Sequence, residues 1–214
     1  MKRLTIASAK GGSGKSTLVS ALAVRACQDL PNVAALDLNY DQGSLTDWHN
    51  LRKRAGLKPM PYLDTDAAEL PLAERLAALA PSYDVAFVDT PPIEMSVIEE
   101  AISLSDFVLA PVRSGFFDMA AAQVIAGMCR RHSKAFGFVV NCADAKHAIV
   151  LKQTITAIKG LQWPLLNAQI KYRQAWIQAL AVGKTGAEIS REARPEIDDL
   201  WAEIQKLLNL GGKQ

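Results

Sequence analysis

Ala9-Lys10-Gly11-Gly12-Ser13-Gly14-Lys15-Ser16-Thr17 stands between an apolar strand-like run, Leu4 to Ala7, and a helical pattern, Ser16 to Gln28. Three glycines in that position let the backbone curl until successive N–H groups converge, and the helix behind them adds the positive end of its dipole. Such a concavity takes phosphate. Lys15 adds a mobile cation for outer phosphates and the Ser16 hydroxyl a hard oxygen ligand for Mg²⁺, while Gly11, Gly12, Ser13, Gly14 and Thr17 complete the cradle. At average residue usage a KGGxGK[ST] string arises in on the order of 10⁻⁷ of windows. A chance glycine-rich turn is therefore set aside in favour of a P-loop.

Outward from the loop, apolar runs recur at Val33 to Leu36, Val85 to Val88, Phe107 to Ala110 and Phe136 to Val140, with weaker ones near Met60 to Leu63 and Trp163 to Leu166. Helical periodicity fills most intervals: Leu72 to Leu79, Ile93 to Leu104, Met119 to His132 and Ile149 to Lys159, then Tyr172 to Val182 and Pro195 to Leu208. Continuous apolar strands alternating with helices predict an α/β fold, a parallel doubly wound sheet with helices on both faces. With 214 residues, half of them apolar, one domain spanning 1–214 is expected. The Gly-Gly-Lys-Gln end is expected to fray.

No apolar run approaches the roughly 18 residues of a membrane span, and Lys10 interrupts any signal-like start, so the expected location is cytoplasmic with no membrane association. Cys27, Cys129 and Cys142 form no CxxC pair and read as buried free thiols. His49, His132 and His147 are scattered and read as surface or loop residues. The formal charge is +2, unevenly spread: residues 1–144 carry 14 Lys+Arg against 16 Asp+Glu, whereas Lys146 to Arg194 holds eight basic residues against Glu188 and Glu192. Affinity for a polyanion is expected late in the chain, with Lys171, Arg173, Lys184, Arg191 and Arg194 the candidates for contacting DNA.

Two further segments carry chemistry. Tyr83-Asp84-Val85-Ala86-Phe87-Val88-Asp89-Thr90-Pro91-Pro92 is a buried strand ending on a carboxylate, and Asp89 can hold a Mg²⁺-bound water there. Leu36-Asp37-Leu38-Asn39-Tyr40-Asp41-Gln42-Gly43-Ser44-Leu45-Thr46-Asp47-Trp48 lies between it and the loop. Asp37 reads equally as a metal-water contact and as a cap or hydrogen-bond acceptor.

The general P-loop GxxxxGK[ST] wants glycine where Ala9 stands, and a second lysine, Lys10, follows. In this, KGGSGKST resembles the deviant Walker A motif of the ParA/MinD family. Asp89-Thr90-Pro91-Pro92 resembles the same family's DTPP segment, and Asp37 to Trp48 is similar to its DxDPQxSLTxW stretch, with one extra residue. The resemblance implies ATP and Mg²⁺ as ligands, a slow, partner-stimulated ATPase, and a face-to-face dimer in which Lys10 reaches the phosphates of the other subunit. It also implies that the residue placing the attacking water is Asn39 or Asp41, depending on where the extra residue falls, and that Asn141, closing the Phe136 to Val140 strand, meets the adenine edge. Ser105 to Val112, Phe117 to Ala122, Ile170 to Arg173 and Ala181 to Lys184 extend the resemblance over nearly the whole chain.

The function so implied is that of a small DNA partition ATPase, closest to the ParF-like members. It would be nucleoid-associated, bind DNA nonspecifically as an ATP dimer, and answer to a ParB/ParG-like centromere-binding protein. The alternatives are a relative that positions a conjugation complex or a protein cargo, or a MinD-like division regulator. Asp198, Asp199 and Glu203 outnumber Lys206 in the last amphipathic helix, which points that helix toward core packing rather than anionic lipid.

Overall fold

The computed structural model describes residues 1–64, 70–113 and 115–211. Seven strands form one sheet: β1 (Lys2–Ile6), β2 (Val33–Asp37), β3 (Tyr62–Asp64), β4 (Val85–Asp89), β5 (Phe107–Val112), β6 (Phe136–Ala143) and β7 (Leu165–Lys171). Their order is β3-β2-β4-β1-β5-β6-β7 and every pairing is parallel. All residues of β2, β4 and β5 are buried, as a sheet covered on both faces requires. After β1 the chain works to one side of the sheet, and after β4 it crosses to the other. The carboxyl ends of β4, β1 and β5 therefore border the crevice where such sheets bind ligands.

One face carries α1 (Lys15–Ala26), α2 (Ser44–Arg54), α7 (Gln174–Leu180) and α9 (Arg194–Leu207), which share a core through Leu22, Trp48, Trp176 and Trp201. The other carries α3 (Leu72–Leu79), α4 (Met95–Ser103), α5 (Phe116–Arg131) and α6 (Ala148–Gly160), packed through Leu76, Ile98, Ile125 and Ile158. The apolar face of α9 (Ile197, Leu200, Trp201, Ile204) lies in the first core, as its acidic composition implies. No described helix is long and apolar enough to cross a membrane.

Three elements depart from the sequence reading. The last strand runs Leu165–Lys171, not Trp163 to Leu166, because Asn167, Gln169 and Lys171 alternate outward on a sheet edge and dilute the apolar signal. The helix expected over Tyr172 to Val182 is shorter, α7, and a second short helix, α8 (Gly186–Ile189), follows it under a Thr185–Glu188 capping box. Helix α2 is mostly polar: its buried residues are Leu45, Trp48 and Arg52. Of the tail expected to fray, residues 212–214 lie outside the described residues.

Arg52 explains how so polar a helix docks. Its side chain is fully buried, and each guanidinium nitrogen is bonded. Nε and Nη2 donate to Pro59 O at 3.0 and 2.8 Å, Nη1 to Gly183 O at 3.0 Å, and Nη1 and Nη2 to the Glu188 carboxylate at 2.9 and 3.0 Å. Trp48 Nε1 donates to Lys184 O at 3.0 Å. Gly183 has φ 70°, and a Cβ there would run into the Arg52 backbone, so only glycine lets the two segments approach. Removing one partner of a buried ion pair strands the other's charge, so Glu188→Ala should lower the unfolding free energy by about 3 kcal/mol. Urea denaturation checks this; a loss under about 1 kcal/mol would mean that the carbonyls alone satisfy Arg52.

Candidate nucleotide-binding site

The P-loop leaves β1 and enters α1 through Gly12 at φ 70° and Gly14 at φ 89°, left-handed conformations that a side chain would strain. The Leu18 N–H closes onto Gly14 O at 3.0 Å, so the helix ladder begins directly behind the loop. Lys15 is buried, and its ammonium donates to Lys10 O at 3.4 Å across the loop. Burial lowers the Lys15 pKa while the Asp89 charge opposes the change. The Ser13 hydroxyl is buried without a partner among the described residues.

Asp89 stands level with Ile6 on β1 and Asp37 on β2. It is 1% exposed, and neither carboxylate oxygen has a hydrogen-bond partner among the described residues. Burial pushes its carboxyl up to about 7; the neighbouring Asp37 charge adds to the rise, while the Ser16 hydroxyl and Lys15 ammonium oppose it. An orphaned carboxylate beside a hydroxyl and an ammonium, under a glycine cradle, fits Mg²⁺ with a nucleotide phosphate.

Next to the loop opens a cavity of about 420 Å³, lined by Gly12, Gly14, Arg113, Asn141, Tyr172 and Trp176 among others. Asn141 forms its inner wall. Its Nδ2 donates to Ser13 O at 2.6 Å and its Oδ1 accepts the Cys142 N–H at 3.0 Å, which fixes the orientation of the amide. A Cβ on Gly14 would run into that Nδ2. The amide thus braces the phosphate loop from below, with its second Nδ2 hydrogen left for another acceptor.

The sequence profile of the CobQ/CobB/MinD/ParA nucleotide-binding domain matches residues 4–185. The chain belongs to this family. No curated protein matches it in sequence. Among solved structures it is similar to the McdA–ATP complex of Cyanothece (TM-score 0.74, 21% identity, covering 100% of this chain and 98% of that one). It is also similar to the MinC–MinD cell division complex of Aquifex aeolicus (0.75, 16%, 96% of each) and to MinD of Pyrococcus horikoshii OT3 with Mg-ADP (0.74, 18%, 96% of each).

In this ParA/MinD-type chain the segment after β2 is pinned by Asp37. Oδ1 accepts the Asn39 N–H, and Oδ2 accepts the N–H and hydroxyl of Thr46, all at 3.0 Å, tying the strand end to α2. An extended loop would turn Asn39 and Asp41 the same way; the structure has a turn instead, closed by the Gly43 N–H on Asn39 O at 2.8 Å. Gly43 at φ 54° makes that return possible. Asn39 is consequently buried, its amide donating to Gln42 at 3.2 Å, whereas Asp41 is exposed and has no partner among the described residues.

Lys10 lies on the rim, 41% exposed, its ammonium 3.0 Å from the carboxylate of Asp118 on α5. The basic candidates divide. Lys171, Arg191 and Arg194 are exposed and Lys184 is half-buried, but Arg173 turns inward, donating to Glu196 at 2.6 Å and lining the cavity. Sequence reasoning missed Arg113, which stands just past β5 and donates to Gly12 O at 3.2 Å, and Asp118. The signal available was their place: each follows the carboxyl end of β5, at the crevice.

If Asn141 braces the loop, reversing its donor should be worse than deleting it. Asn141→Asp sets a carboxylate against Ser13 O and is expected to weaken ATP binding by about a hundredfold, against about tenfold for Asn141→Ala. Calorimetric titration with ATP measures both; equal losses would assign the residue no part in holding the loop.

Proposed function

We propose that the chain is a slow, partner-stimulated ATPase that forms a homodimer around two ATP molecules and, as that dimer, binds DNA nonspecifically to segregate it. The dimer reading rests on Lys10. Lys15 already serves the phosphates of its own loop, and a second, half-exposed lysine on the rim has a use where phosphates from another chain come near. Ile93 and Ile149, 78% and 77% exposed, follow β4 and β6 at the same end of the sheet, which suits an apolar contact between two copies. Asp118 would hold Lys10 until the second copy arrives.

Bound ATP and Mg²⁺ would supply the scissile phosphoanhydride and neutralise its charge. The chain's own residues would do the rest. Loop N–H groups and Lys15 hold the phosphates, Ser16 and Asp89 hold the metal, and Asp37 fixes the switch segment to α2. Asp41, exposed and without a partner among the described residues, is the residue proposed to align the attacking water, with Asn39 bracing it. P-loop proteins without a completed site turn over on the order of 10⁻⁴ to 10⁻² per second, so a stimulating partner of ParB/ParG type is part of the reading. The MinC–MinD complex is a precedent for a partner protein in this fold.

Light scattering with Mg²⁺ and ATP should double the mass of the wild type, while Lys10→Ala binds ATP and stays at the mass of one chain. Lys171, Lys184, Arg191 and Arg194 are proposed to contact DNA. Four neutralised phosphates give a slope of log K against log[salt] near −3.6, about 150-fold between 50 and 200 mM. An unchanged mass with ATP overturns the dimer, and DNA binding indifferent to salt overturns the basic surface.

A further inference from the structure

The turn that carries Asn39 and Asp41 has a second anchor, on its outer side. Between those residues stands Tyr40, 51% exposed as a residue, whose hydroxyl accepts a hydrogen bond from Arg75 Nη1 at 2.9 Å. Arg75, on α3, is 4% exposed, and its Nε donates to Asp64 at the end of β3 at 2.9 Å. A charged donor held in place by a buried ion pair makes a strong and well-oriented hydrogen bond. Among the described residues Arg75 Nη2 is buried without an acceptor.

On its inner side the turn is tied through backbone N–H groups to Asp37. On its outer side the described tie is Tyr40. A half-exposed ring has little packing to orient it, so the hydroxyl decides where the peptides on either side of residue 40 lie. Tyr40 also falls in the stretch where the segment is one residue longer than the pattern it resembles, so the tie accompanies the extra residue.

We infer that Tyr40 is a positioning residue for hydrolysis: anchored by Arg75, it sets the turn so that Asp41 and Asn39 meet the attacking water in line. This rests on the ATPase reading above. Residues that place a reacting group act through small displacements, and a shift of about 1 Å can cost up to a hundredfold in rate. Tyr40 touches neither substrate nor metal in this role, so ATP affinity should be indifferent to it.

Tyr40→Phe keeps the ring and removes the tie. Single-turnover hydrolysis should fall about tenfold or more, with ATP affinity unchanged and faster amide exchange at residues 39–43. Arg75→Met should repeat the loss, and the double variant should be no worse than either single one, as for two ends of one bond. If Arg75→Met does not fold, Tyr40→Phe decides alone. Wild-type hydrolysis in Tyr40→Phe overturns the inference even if exchange rises, because the tie would then be structural only. A wild type that binds ATP but hydrolyses none, with or without a stimulating partner, overturns the ATPase reading itself, and this inference with it.

Discussion

A buried carboxylate with no hydrogen-bond partner among the described residues, sealed under a glycine-rich loop, is the constraint around which the rest is arranged. Taking Asp89 out of water is costly unless a cation or donor answers it. Its proton affinity is raised accordingly. The fold holds it there through five consecutive buried residues of β4, wedged between β1 and β2, and Thr90 beyond it bonds back to Ile6 O at 3.0 Å. Lys15 and Ser16 then open α1 at the same level, bringing the opposite charge and the hard oxygen that such a carboxylate shares with a metal-bound phosphate.

Around that centre the chain ties loops and helices together with a few polar contacts. Asp37 holds the start of α2, Arg52 holds its far half to Gly183 in the segment between α7 and α8, and Asn141 props the loop against β6. The Arg52 and Asn141 ties join segments distant in sequence, and all three use a side chain that is buried rather than presented to solvent. The same segment that receives Arg52 follows the helix whose Trp176 and Leu180 line the cavity, so α2 and the cavity wall rest on common ground.

The sheet and the loop were legible in the sequence because both depend on local rules: continuous apolar runs for strands buried on two faces, and glycines at fixed spacing before a helix. Helix α3 was read to the residue. What the sequence hid was long-range. Helix α2 carries too few apolar residues to announce itself, since an arginine does the docking. Arg113, Asp118 and Arg75 act on groups 101, 108 and 35 residues away, and no periodicity marks such pairs. The turn at Tyr40 is closed by Gly43's left-handed conformation rather than by the residues before it.

The claim on which the whole reading stands is that Asp89 is buried for a metal-bound nucleotide. Calorimetry of ATP binding, with Mg²⁺ and with the metal chelated, tests it on wild type and Asp89→Asn. Mg²⁺ should tighten ATP binding to the wild type and bring little gain to Asp89→Asn, which retains the loop and Lys15. Equal affinity of the wild type for ATP with and without Mg²⁺, or an undiminished gain in the variant, would contradict it.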